Sequence, residues 1–128
     1  MDRGTIFFIG RVEEVKGEIS KITIFNEFLQ GIEGLKKGEK IIVLYWFHKR
    51  DNLKERNVLR VHPRGDPKNP PRGVFSTRSP SRPNPIGLTI VKIEEIKENT
   101  LIVRGLDALP GSPIIDIKPA KENEIKKI

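Results

Sequence analysis

Residues 40–47 read KIIVLYWF, one lysine followed by seven apolar residues without a break. The run has the length of a strand and falls far short of the ~18 residues that a membrane-crossing helix needs. A sheet strand with one wet face alternates apolar and polar residues. An unbroken run marks a central strand covered on both faces, or a barrel strand whose outer face meets a second copy. The flanking sequence reads as more strands. On the N-terminal side, residues 5–11 (TIFFIGR) are expected to open the sheet, and Gly17 marks a turn. Ile22 and Ile24 then alternate with Lys21 and Thr23, with Ser20 on the isoleucine face. Asn26 is positioned to cap a short helix over residues 26–34.

On the C-terminal side, strands are expected over residues 56–63 and from residue 73. Residues 88–96 and 100–106 flank a Glu98-Asn99 turn as a hairpin, with a bulge between Ile90 and Val91. Residues 114–117 form a last short strand. Many short strands with one short helix define an all-β chain, sandwich or barrel. No internal repeat or boundary divides it, so one domain over residues 1–128 is expected.

Composition narrows the functional classes. The chain has 128 residues, no cysteine and two histidines, which excludes disulfides and thiolate metal sites. No metal is expected. No apolar run suits a membrane and no signal segment opens the chain, so the expectation is a cytoplasmic protein. The net charge is +7. Six cations (Arg60, Arg64, Lys68, Arg72, Arg78 and Arg82) face Asp66 alone in residues 60–87, a surplus of five. An anionic partner follows, with nucleic acid the leading candidate.

The cations converge on residues 73–87, GVFSTRSPSRPNPIG. Pro80, Pro83 and Pro85 fix φ and remove backbone donors, and each pushes the preceding residue towards extended geometry. The segment is read as a rigid loop presenting Arg78, Arg82 and Asn84 in fixed directions. Before it, residues 64–72 (RGDPKNPPR) read as a mobile basic loop. After the hairpin, residues 107–113 (DALPGSP) form a second loop of proline and glycine. His62, between Val61 and Pro63, reads as structural, and Tyr45 and Trp46 as core.

Three segments carry a resemblance: YWFHKRD at 45–51, GVFSTRSPSRPNPIGLTIVKI at 73–93 and LDALPGSPIIDIKP at 106–119. In this order they resemble the TsaA-like (TrmO) family. The resemblance implies a small β-barrel of short strands with at most one or two short helices. It implies a homodimer that binds S-adenosylmethionine and methylates N6 of threonylcarbamoyl-adenosine in tRNA. The methyl donor is then expected at His48 and Lys49, at Arg78 and Leu88, and at Ala108, Leu109, Pro110 and Gly111. An arginine fork such as Arg78 suits the donor's α-carboxylate. Arg72 and Arg82 are expected to meet the RNA, with the donor as the alternative contact for Arg82. Asn84 is expected to accept a hydrogen bond from the attacking amine, or else only to tie its own loop. The chain departs from the family pattern by lacking a longer loop between Arg11 and Glu18, and by carrying Pro110 and Ala120. The alternative from another class is a non-catalytic RNA- or nucleotide-binding module on the same barrel.

Overall fold

The computed structural model describes residues 1–125. The elements follow in the order β1 (Gly10–Lys16), β2 (Ile19–Ile24), β3 (Lys40–Trp46), α1 (Leu53–Arg56), β4 (Arg60–Val61), β5 (Arg72–Gly73), β6 (Ile86–Lys97), β7 (Thr100–Arg104), β8 (Pro113–Pro119) and α2 (Glu122–Ile125). The chain gathers into two compact units. One is Met1–Tyr45 with Leu88–Ile128, and the other is Trp46–Gly87.

The first unit holds the sheet. Six antiparallel strands close in the order β1-β2-β7-β6-β3-β8, with β8 pairing back onto β1 through Gly10↔Ile114 and Arg11↔Pro113. The registers stack apolar positions on one face, with Val12 opposite Ile22 and Ile22 opposite Leu101. Ile93 lies opposite Val103 on the neighbouring pair. Ile22, Val43, Ile93, Leu101, Val103 and Ile114 are fully enclosed. In β2 the burial alternates as the sequence predicts, with Ser20, Ile22 and Ile24 inward. Ser20 thereby brings a hydroxyl into the core, where Oγ has no hydrogen-bond partner among the described residues. An unsatisfied buried hydroxyl costs about 1–3 kcal/mol.

The unbroken apolar run is β3. Ile41, Ile42, Val43, Tyr45 and Trp46 are all buried within this chain, so the run requires no second copy to cover it. The β6–β7 hairpin turns at Glu98-Asn99, with Glu98 in the left-handed region at φ 55°.

Several expectations are corrected. The opening strand begins at Gly10, not Thr5. Ile6, Phe7 and Phe8 stay exposed, and Phe7 leans on Phe28 at 6.3 Å between ring centres. The expected helix from Asn26 is a 3₁₀ helix, Asn26–Ile32, whose cap position is Phe25 with no side-chain cap bond. The bulge lies between Ile93 and Glu95 rather than at Ile90–Val91. The misplacement has a physical cause. Thr89 takes an inward position before Val91 and Ile93, and its hydroxyl lies 2.9 Å from the Tyr45 hydroxyl. A polar residue on the apolar face looked like a shift of face, whereas it is a satisfied polar pair.

In the second unit, the strand expected over 56–63 shrinks to β4, and a helical turn, α1, precedes it. The strand expected from Gly73 is only the last residue of β5, which leads into a 3₁₀ turn, Val74–Ser76. The loop expected to be mobile at 64–72 is stitched internally. Asn69 donates to the Pro63 carbonyl at 2.8 Å, and His62 Nδ1 meets the Asn69 carbonyl at 2.7 Å.

Candidate functional site

The second unit has few buried apolar side chains, so polar contacts set its shape. Asn52 caps α1 by accepting from the Glu55 amide at 2.9 Å. That fixes Arg56 at the end of the turn. The Arg56 guanidinium lies 5.4 Å from the centre of the Trp46 ring. It donates to the Pro83 carbonyl at 2.8 Å and to Asp51 Oδ1 at 3.0 Å, and reaches Asn84 Oδ1 at 3.4 Å. Asp51 also accepts from the Trp46 indole at 3.2 Å. Arg56 thus holds the Pro83-Asn84 corner of the proline loop.

A second cluster fastens the other side. The Ser81 hydroxyl is buried and donates to Glu55 Oε2. Arg50 donates to Ser81 Oγ at 3.1 Å and lies 3.3 Å from Glu55 Oε2. The Ser81 hydrogen bond, with Arg50 beside it, holds the Glu55 carboxyl below the ordinary carboxylate value although burial opposes this.

The two arginines of the motif have different jobs. Arg82 turns into its own loop and donates to the carbonyls of Val74, Thr77 and Ser79 at 3.0, 3.1 and 3.0 Å. Ser79 and Ser81 amides are met by the Thr77 and Ser79 hydroxyls, each at 3.2 Å. These bonds tie the proline loop to itself. Arg78 points outward and takes no hydrogen bond or ion pair among the described residues. It lines a cleft of about 780 Å³ within this unit, together with Arg64, Arg72, Arg50, Thr77 and Ser79. Arg64 and Arg72 likewise carry no ion pair among the described residues, whereas Arg50 is paired with Glu55.

The sequence candidates therefore separate. Arg72 and Arg78 come together on the cleft. Arg82 and Asn84 are built into the loop, Asn84 exposed and touched by Arg56 only at long range. His48 is half-buried and Lys49 exposed in the 3₁₀ turn after β3. Leu88, on β6, is 39% exposed. In the first unit, the β7–β8 connection holds Ala108, Leu109, Pro110 and Gly111. Gly111 has φ 87° and donates its amide to the Val12 carbonyl at 2.7 Å. Leu109 is 55% exposed, and its carbonyl accepts the Ser112 hydroxyl at 2.6 Å. Asp116 and Lys118 form an ion pair at 3.0 Å on β8. No cluster of three or more His, Asp or Glu side chains suited to a metal occurs among the described residues.

Sequence reasoning missed Glu55 and Arg56. The spacing Asn52-x-x-Glu55 is a readable helix-start signal that would have exposed α1. The contacts that Arg56 and Arg50 make across 27–31 residues leave no such trace.

A closed antiparallel β unit and a proline-braced, arginine-lined unit place the chain in a class of small, mostly β proteins with a basic cleft. The chain belongs to the family described as the tRNA-methyltransferase O N-terminal domain, whose model matches residues 11–123. That match runs through both units, and it bears out the resemblance carried by TRSPSRPNPIG. A probable S-adenosyl-L-methionine-binding protein of Methanothermobacter thermautotrophicus is 58% identical over 106 residues, covering 83% of this chain and 72% of that one. Another, from Methanocaldococcus jannaschii, is 53% identical over 110 residues, covering 86% of each. The crystal structure of TrmO from Pseudomonas aeruginosa superposes with a TM-score of 0.69 at 22% identity, covering 95% of this chain. The chain spans 58% of the length of that solved protein, and the likeness is one of fold.

Proposed function

We propose that the chain binds S-adenosylmethionine and transfers its methyl group to N6 of threonylcarbamoyl-adenosine in tRNA, as a cytoplasmic homodimer. The observation that carries this reading is Arg78. It is the motif arginine left without a partner among the described residues, and it stands on a cleft with Arg64 and Arg72, which carry no ion pair among those residues. The chemistry of these residues fits the donor. A free guanidinium suits an α-carboxylate, which it can meet with two parallel hydrogen bonds. The exposed Leu109 side chain and the side-chain-free Gly111 suit an adenine, which needs an apolar surface and reachable backbone groups. Leu88, Ala108, Pro110, His48 and Lys49 complete the set that the family resemblance assigns to the donor.

When bound, the donor supplies an electrophilic methyl carbon on a sulfonium. The chain's own part is positioning. Arg82 and Arg56 brace the loop so that Arg78 and Asn84 keep fixed directions. Arg72 offers a contact for RNA phosphate. Asn84 Oδ1, bonded only loosely to Arg56, keeps a lone pair that can accept the N–H of the attacking amine and localise its electrons. The relatives are named for binding S-adenosylmethionine and not for methyl transfer. A module that binds the donor without turning it over is therefore the second reading.

Calorimetry of S-adenosylmethionine with the wild-type chain and with Arg78→Ala tests the first step. Micromolar binding is expected, weakened about tenfold or more by loss of a charge-assisted pair. No binding by the folded wild type overturns the proposal. Binding without methyl transfer to tRNA carrying threonylcarbamoyl-adenosine selects the second reading.

A further inference from the structure

Phe75 stands out from the rest of the second unit. Its side chain is 78% exposed, while its neighbour Val74 is 1% exposed and anchors the same 3₁₀ turn. Scattered exposed apolar side chains are ordinary. This one is mounted unusually firmly. The turn's carbonyls are held by Arg82, which donates to Val74 O and Thr77 O. The Ser76 hydroxyl closes onto the Gly73 carbonyl at 2.7 Å, and the Thr77 hydroxyl onto Val74 O at 3.0 Å. A rigid mount means that little freedom remains to be lost when the ring meets a partner. In sequence the ring lies between Arg72 and Arg78, which have no partner among the described residues. Ser76, next to the ring in sequence, lines the cleft. Arg64 lies on it with φ 59°, a left-handed conformation that is unfavourable for a residue with a side chain.

We propose that Phe75, Arg64 and Arg72 form a site for single-stranded RNA, the phenyl ring stacking on an unpaired base and the two arginines meeting flanking phosphates. Stacking on an aromatic ring tolerates any base but requires that the base be out of a duplex. Cations alone would serve single and double strands alike. The ring converts a basic surface into one that selects an exposed nucleotide. The inference deepens the RNA reading above and rests on it, adding the residue that discriminates strand state.

The test is fluorescence anisotropy of the full chain, without methyl donor, against a labelled single-stranded RNA of about 12 nucleotides and a duplex of the same composition. The single strand should bind more tightly. Phe75→Ala should weaken single-strand binding about tenfold and leave duplex binding and the salt slope unchanged. Phe75→Trp should restore the loss. Arg64→Ala and Arg72→Ala should each flatten the slope of log affinity against log salt by about 0.7. Unchanged single-strand affinity in Phe75→Ala overturns the inference. So does a loss accompanied by a change in sedimenting mass, which would make the ring a contact between copies. Donor calorimetry on Phe75→Ala separates the two proposals. Intact donor binding with no effect on RNA sinks only this inference.

Discussion

Glu55 sets the behaviour of one residue against the pH of the whole sample. Its carboxylate accepts the Ser81 hydroxyl and faces Arg50, and both stabilise the charged form in the folded chain. The unfolded chain takes up a proton near the ordinary value of 4.5, while the folded chain takes it up only at lower pH. The contribution is therefore complete above 4.5 and is lost as pH falls through the lowered folded value. Glu13 and Glu14, lowered by Arg11 and Lys16, act in the same direction. Thermal melts of wild type and Glu55→Gln across this range check the point. The variant should melt lower at neutral pH, and the gap should narrow on acidification. A gap constant from neutral pH to below 4.5 would remove the Ser81–Glu55–Arg50 cluster from the account. Nothing in the order of residues signals this cluster. Ser81 was legible only as part of a proline loop, and its partners lie 26 and 31 positions away.

At the scale of elements, β1 meets β2 closely at Gly10. A Cβ there would run into the Thr23 carbonyl oxygen and crowd Ile24 Cα at 3.2 Å. Both obstacles are backbone, so neither can swing aside. Gly10→Ala should destabilise the protein by about 1–3 kcal/mol, as overpacking does, whereas Gly4→Ala, with nothing within 4 Å, should be neutral. Urea denaturation of the pair decides it, and equal midpoints would mean that the β1–β2 register yields more easily than its geometry implies. The strands themselves were legible because half-burial imposes period two and double burial imposes an unbroken run. Ser20–Ile24 and residues 40–47 announced themselves in this way. Residues 5–9 misled because TIFFI has the composition of a strand, yet Ile6, Phe7 and Phe8 stay on the surface. The helical turn α1 was missed because Leu53, its apolar residue, is 83% exposed and leaves no periodic face to detect.

For the whole molecule, the two units draw stability from different sources. The first encloses Ile22, Val43, Leu101, Val103 and Ile114 almost completely. The second relies on Arg82, Arg56 and Arg50 holding carbonyls and carboxylates, with Val74 and Trp46 as its main apolar anchors. This division explains what the sequence could reveal. Hydrophobic pattern writes a sheet into short windows, whereas a loop tied by guanidiniums depends on partners that chain order does not rank. The sequence located the motif and its cations. It could not tell that Arg82 turns inward while Arg78 stays free. Local opening should follow the same division. In hydrogen exchange, the amides of Ile22, Val43, Leu101 and Val103 should exchange only through global unfolding, and those of Thr77, Ser79 and Ser81 through a cheaper local opening. Arg82→Ala removes three donor contacts to the 74–79 carbonyls. It should speed exchange at residues 77–81 about tenfold or more and leave the four sheet amides unchanged. Matching acceleration in the sheet would mean that the loop and the barrel open as one cooperative body. The loop's rigidity would then come from the entire fold, and Arg82 would not be its particular brace.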